Sequence, residues 1–335
     1  MARRARAGTR PFPERAFHRW LRTLAPVGAT GLLAMGDDVA ALPMGSDRSL
    51  LLTTDALSEG THFLDRSPPE SVGAAAINAS LSDLAAKGGR PLAALLDLLM
   101  PPSTPARWAQ KVARGAEAAA RRSGCHLVGG DTKPAAGRSV VGTMVGIGGR
   151  KLAPRSGARP GDLLVTTGLV GSGGANAIPL TRRGAPSRRA LSRLLHIEPR
   201  LKEGAALAPF AHAMLDTSDG MGEASRLLAE SSRVRVLLEP DRFPWDSRLL
   251  DPRIPPTRRE ELGFFGGDYE LLAAVPARVA ESARAAVARS GGSLSIVGRV
   301  EAGRGVRLLR SGRDVAFRSR GWDPFARSRP PPSPR

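Results

Sequence analysis

One cysteine, one tyrosine and five lysines in 335 residues put several chemistries out of reach. With Cys125 alone, the chain forms no internal disulfide and no cysteine-based zinc site. Aromatic residues are only 4% of the chain, so the 41% that is hydrophobic must build its core from Leu, Val and Ala. No apolar run approaches the roughly 20 residues of a membrane-spanning helix. No apolar segment follows the Arg-rich N-terminus before Gly36, so a secretory signal is not expected and the expected location is cytoplasmic.

Arginine is what the chain has in quantity. The net charge is +19, and all but five of its 50 basic residues are arginines. They run along the whole chain and are thickest in the tails, at Arg3, Arg4, Arg6 and Arg10 and at Arg327, Arg329 and Arg335. Within the tails, at 1–10 and 326–335, no aromatic residues interleave with them, as a single-strand nucleic-acid surface requires. The expectation is a solvated basic surface that steers anionic ligands, with no specific nucleic-acid partner.

Residues 1–10 and the Pro-rich 326–335 read as disordered tails. Between them strand and helix signals alternate. "SLLLTTDAL" (49–57) is an apolar run ending in polar residues, and a helix follows with Ser67 as N-cap and Gly88 as stop. Residues 91–100 read as a strand, 103–124 as a helix, and 126–130 and 139–149 as strands. "RSGARPGD" (155–162) is loop chemistry and marks a boundary between a domain at 11–154 and another at 155–325. The second domain opens with a strand at 163–168 and the glycine-rich "GLVGSGG" (168–174). Further strands are expected at 213–216, 269–275, 294–300 and 305–310, with helices near 221–231 and 277–290. The order implies two α/β domains.

"AMGDDVAAL" (34–42) sets Asp37 beside Asp38 among small and apolar residues, where unpaired acids are costly. The same form recurs at Thr53-Thr54-Asp55, Leu81-Ser82-Asp83, Gly129-Gly130-Asp131 and Asp216-Thr217-Ser218-Asp219. Each alone is compatible with a turn or a cap. Asp83 resists that reading, because Val72, Ala76, Ala79 and Asp83 share one face of the expected helix. Carboxylates with hydroxyls, without thiolates, suit a hard cation such as Mg²⁺ and point to phosphoryl chemistry. "GLVGSGG" could offer amides to a phosphate, and Arg155 could clamp one bidentately.

Taken in order, "GDDVA", "TTDALSEGTHF", "INASLSDLAAKGGRP", "VGGDT", "RSGARPGD", "LDTSDG", "GGDYELL" and "GWDPF" resemble the thiamine-monophosphate kinases. These belong to the superfamily of aminoimidazole ribonucleotide synthetase, and the resemblance covers about residues 30–325. It implies two α/β domains (an α+β architecture) whose N-terminal domains pair in a homodimer, and phosphoryl transfer from ATP to thiamine phosphate. Asp38, Thr53, Thr54, Asp55, Asp83, Asp131, Asp216 and Asp219 would hold several Mg²⁺ ions. Gly130, Asp131, Arg155 and Ser218 would meet ATP, and His62 and Trp322 thiamine phosphate. The family motif Gly-Gly-Glu-Asp-Tyr-Glu-Leu carries a substrate-site Glu where this chain has Gly267. That departure predicts weaker thiamine-phosphate binding. It leaves two alternatives: another ATP-dependent activity of the superfamily, or a nucleotide or thiamine-phosphate binding protein.

Overall fold

A computed structural model describes residues 12–24, 33, 35–181, 185–317, 321 and 325. The two tails and Trp322 lie outside the described residues. A short helix, α1 (Glu14–Leu24), precedes the first sheet.

The first sheet contains β1 (Ala40–Met44), β2 (Arg48–Ser58), β3 (Arg90–Met100), β4 (Leu127–Gly129), β5 (Thr132–Pro134) and β6 (Ser139–Gly149). The strands lie in the order β1-β2-β6-β3-β4, with β5 on the far end of β3. Helix α2 (Pro69–Ala85) connects β2 to β3, and α3 (Ala106–Arg122) connects β3 to β4. Because β6 pairs antiparallel with both β2 and β3, those two run parallel with β6 inserted between them, a split βαβ unit.

Strand alternation sorts the two faces of this sheet. Leu51 and Leu57 of β2, with Ala94, Leu96 and Leu98 of β3, lie in the core beneath α2 and α3. Leu50, Leu52, Val141, Val145 and Ile147 face the other way, on a side that no described helix covers. Helix α2 is small and apolar nearly all round and is buried on almost every side, the mark of a helix inside a core. It meets α3 through paired glycines. A Cβ at Gly73 would lie 1.9 Å from the Val112 carbonyl oxygen, and one at Gly115 1.9 Å from that of Glu70. The expected cap is corrected here: Pro68 is the N-cap, and the Ser67 hydroxyl accepts the Leu64 N–H instead.

The second sheet has seven strands: β7 (Asp162–Thr167), β8 (Ala213–Asp216), β9 (Arg235–Leu238), β10 (Leu271–Pro276), β11 (Leu294–Glu301), β12 (Gly305–Arg310) and β13 (Arg313–Ala316). Their order is β13-β12-β9-β11-β7-β10-β8, and only β9 and β12 pair in parallel. Short helices α4 (Ser172–Ala177), α5 (Arg188–Leu194) and α6 (Leu201–Leu207) follow β7. Helices α7 (Met221–Ser232), α8 (Pro256–Gly263) and α9 (Ala280–Arg289) follow later. Met221, Ala224 and Leu228 of α7 cover one face of the sheet, and Leu207 of α6 with Ala283 and Val287 of α9 cover the other. Buried on both sides, β10 reads as the unbroken apolar run "LLAAVP". The α6 and α9 layer also takes in Ala85 and Ala86 from the end of α2, so one apolar core crosses between the domains. None of the described helices is long and apolar enough to cross a membrane.

Candidate active site

Four short segments from both domains converge where α2 ends. Period-two alternation in β2 turns Thr53 and Asp55 toward α2, whose last turns carry Ser82 and Asp83. Strand β8 ends on Asp216, and the loop 217–220 adds Ser218 and Asp219 ahead of α7. The loop before β1 brings Asp37 and Asp38. Oxygens of Asp38, Asp83 and Asp216 lie within 4.8 Å of one another.

Hydroxyls hold these acids in place. Thr53 Oγ1 donates to Asp83 Oδ2 at 2.5 Å, which answers the acid on the apolar helix face. Ser82 Oγ donates to Asp216 Oδ2 at 2.7 Å, and Ser218 Oγ to Asp216 Oδ1 at 2.8 Å. Burial, and after it mutual repulsion, raises the pKa values of the group. Burial, then the Asp216 charge, raises the Asp55 carboxyl to about 6. Burial and the same neighbour raise Asp219 to about 7. Burial, then the nearby carboxylates, pushes Asp83 well above the usual range, and burial with Asp38 raises Asp216.

Asp37 and Asp38 are different, because the chain supplies their counter-ions. The Lys87 ammonium lies 2.6 Å from Asp37 Oδ1 and 2.6 Å from Asp38 Oδ2. Arg155 Nη2 bonds Asp38 Oδ1, its Nη1 donates to the Gly36 carbonyl at 2.6 Å, and its amide donates to Asp37 Oδ2 at 2.8 Å. Burial acts to raise the Asp38 carboxyl, but Arg155 and Lys87 overcome it and hold the group below its ordinary value. The "GDD" acids are thus neutralised first by side chains. Asp38 keeps acceptor capacity, since a carboxylate has about four lone-pair positions.

Two of the expected ligand positions stand apart from this group. Thr54 points to the opposite face of β2, where its hydroxyl lies 2.9 Å from that of Thr143, because neighbouring strand residues alternate. Asp131 follows Gly130 in the β4–β5 turn, exposed, with Lys133 Nζ at 3.2 Å and its own amide donating to Asp97 Oδ1 at 2.6 Å. Two strands separate it from β2, a gap of about 14 Å at the usual strand spacing. His62 lies in the turn just past β2, where its Nδ1 accepts the Ser58 amide at 3.1 Å and burial lowers its pKa.

The glycine-rich "GLVGSGG" has three of its amides already engaged, that of Val170 by the Pro244 carbonyl. The Gly171 and Gly173 N–H groups are both taken by the Asp268 carboxylate, at 2.7 and 2.8 Å. Gly267 donates its amide to the Ser218 carbonyl at 2.7 Å and has φ +81°, a conformation that favours glycine.

Sequence reasoning passed over Lys87 and Tyr269. Tyr269 follows Asp268 with φ +54°, unusual for a bulky residue, and packs against the first domain's core from the second. Burial, then Asp55 and Asp216, pushes its phenol well above the usual value. The one available signal was composition: a single tyrosine inside an acidic motif.

Family comparisons agree with this geometry. Residues 36–148 match the N-terminal domain of AIR synthase related protein, and residues 159–310 match its C-terminal domain. A thiamine-monophosphate kinase of Halobacterium salinarum is 36% identical over 82% of this chain and 90% of its own length. The Pyrococcus horikoshii thiamine-monophosphate kinase is 30% identical over 87% of this chain and 90% of its own. A solved structure described as AaThiL complexed with AMPPCP and TMP superposes with a TM-score of 0.78 at 28% identity, covering 92% of this chain and 96% of that one. Escherichia coli HypE, a hydrogenase maturation protein, shares the fold at a TM-score of 0.68 and 20% identity, over 83% of this chain and 88% of its own. The chain therefore belongs to the AIR synthase related family and, within it, to the thiamine-monophosphate kinases.

Proposed function

We propose that the chain transfers the terminal phosphoryl group of ATP to thiamine phosphate, giving ADP and thiamine diphosphate by direct in-line displacement. The observation that carries this reading is the convergence of Asp38, Asp55, Asp83, Asp216 and Asp219 from both domains, with charge left over after Lys87 and Arg155 are counted. The nucleophile, a phosphate oxygen, is already ionised at neutral pH, so the site needs no Ser, Cys or His base. Its task is to hold two polyanions together in line.

The donor set fits Mg²⁺: hard carboxylate and hydroxyl oxygens, no sulfur, and acids whose pKa values are raised by burial and then by one another, as a bound cation would reverse. Asp38, Asp55, Asp83, Asp216 and Asp219 would hold the ions, with Thr53 orienting Asp83. Bound there, Mg²⁺ neutralises phosphate charge and aligns the reacting groups. Gly130, Asp131, Arg155 and Ser218 meet ATP, and His62 and Trp322 meet the thiamine portion, in keeping with the family motifs.

A homodimer belongs to the same reading. The uncovered face of the first sheet carries Leu50, Leu52, Val141, Val145 and Ile147, and a second copy is its natural cover, because this face is poor in the charge that makes two basic chains repel. A cytoplasmic location completes the reading.

ADP release with thiamine phosphate, compared with aminoimidazole acceptors and with no acceptor, tests the assignment. Turnover is expected with thiamine phosphate alone. Asp55→Asn and Asp131→Asn should each lower it by at least about a hundredfold with the fold retained. Equal ADP release without acceptor overturns the kinase reading.

A further inference from the structure

We infer that the Lys87 ammonium fills a monovalent-cation position built from both domains, so that the junction beside the carboxylate cluster needs no free potassium or ammonium ion. Four oxygens surround Nζ: Asp37 Oδ1 and Asp38 Oδ2 at 2.6 Å each, the Met214 carbonyl at 2.7 Å and the Ala153 carbonyl at 3.2 Å. The Lys87 side chain is fully enclosed, and the two acids are 5% and 2% exposed.

The arrangement exceeds a salt bridge in two respects. An ammonium has three N–H donors, yet four oxygens face it. The ammonium is therefore shared, with Asp38 Oδ2 held at 2.6 Å as closely as Asp37 Oδ1 and no single acid as its partner. The oxygens also come from three separate places: the loop before β1, the segment between β6 and β7, and β8 of the second domain. The cation itself sits just past the C-terminal end of α2, where the helix dipole favours positive charge. Two carboxylates and two carbonyls around one enclosed charge are the donors a potassium ion takes, and potassium and ammonium match in charge and nearly in size. Lys87 thereby acts as a positioning residue. It fixes Asp38 beside Asp83 and Asp216 and ties β8 to the first domain.

Lys87→Met keeps the apolar stem and removes the ammonium. In EDTA and tetramethylammonium chloride, its melting temperature is expected to fall by about 4–7 °C, the effect of breaking a buried ion pair in a chain of this size. At equal ionic strength, potassium or ammonium chloride should restore most of that loss, while the wild-type chain shows no comparable ion-specific gain. A lysine that only fills space would show the fall without the specific recovery. Should Lys87→Met not fold in tetramethylammonium, Lys87→Met combined with Asp37→Asn, which removes one buried acid, is measured in the same salts. Recovery confined to potassium and ammonium supports the inference in either variant. Identical melting in all three salts overturns it, as does failure of both variants to fold in any of them.

Discussion

The Ser82 hydroxyl, on a helix of the first domain, donates to the Asp216 carboxylate of the second at 2.7 Å. This buried contact links the end of α2 to the end of β8 and fixes one of the three acids whose oxygens converge. Its loss leaves Asp216 with fewer donors in a site where burial and Asp38 already raise its pKa.

Ser82→Ala should therefore lower turnover by about ten- to a hundredfold, matching the roughly 1.5–3 kcal/mol of a hydrogen bond to a charged group. The Mg²⁺ concentration for half-maximal rate should rise with it, while the melting temperature changes little. Steady-state rates across a Mg²⁺ titration provide the check. Unchanged half-saturation would mean that the bond does not prepare the acid cluster.

Metal-free stability should fall as pH rises toward neutrality. Burial and Asp216 move Asp55 from 3.8 to about 6 and Asp219 from 3.8 to about 7, so the folded chain holds protons that the unfolded chain has released. Stability from this source is complete below about pH 4 and is lost as pH rises through about 6 and 7. Melting curves in EDTA across that range should show the decline. Asp219→Asn should flatten it and raise the neutral-pH melting temperature while abolishing turnover. A metal-free melting temperature that climbs from acid to neutral pH would contradict this account.

Gly267→Glu tests whether the missing family carboxylate weakens the site. Space is available, because a Cβ would lie 3.5 Å from Gly173 Cα, but φ is +81°. A non-glycine residue there costs about 1–2 kcal/mol, or about 1–3 °C in melting temperature for a chain of this size. The same residue donates to the Ser218 carbonyl, so strain passes directly to the loop carrying Asp219. The expected outcome is lower stability with no fall in KM for thiamine phosphate. A stable variant with a lower KM would restore the reading of a lost substrate contact.

The strongly patterned elements were legible in the sequence. The run at 49–57 is β2 (Arg48–Ser58), and the helix expected near 221–231 is α7 (Met221–Ser232). The four-residue β9, "RVLL", was not foreseen, because so short a run lacks a period and is specified by its neighbours β11 and β12. The need of Asp83 for a partner was readable from its helix face, but the identity of that partner, Thr53, came only from folding. Lys87 resembled an ordinary polar residue at a helix end, since nothing local says that carbonyls 66 and 127 positions away will enclose it. "GLVGSGG" misled for a related reason: the acid that takes its amides lies 95 and 97 residues downstream.

Ala85 and Ala86 belong to the first domain by sequence, yet they lie in the apolar layer formed by α6, α9 and β10 of the second. Cutting the chain in the loop 155–162 would thus not release two finished modules. Each half would keep a raw apolar face that the other covers in the intact chain, so the two halves are expected to melt in a single transition.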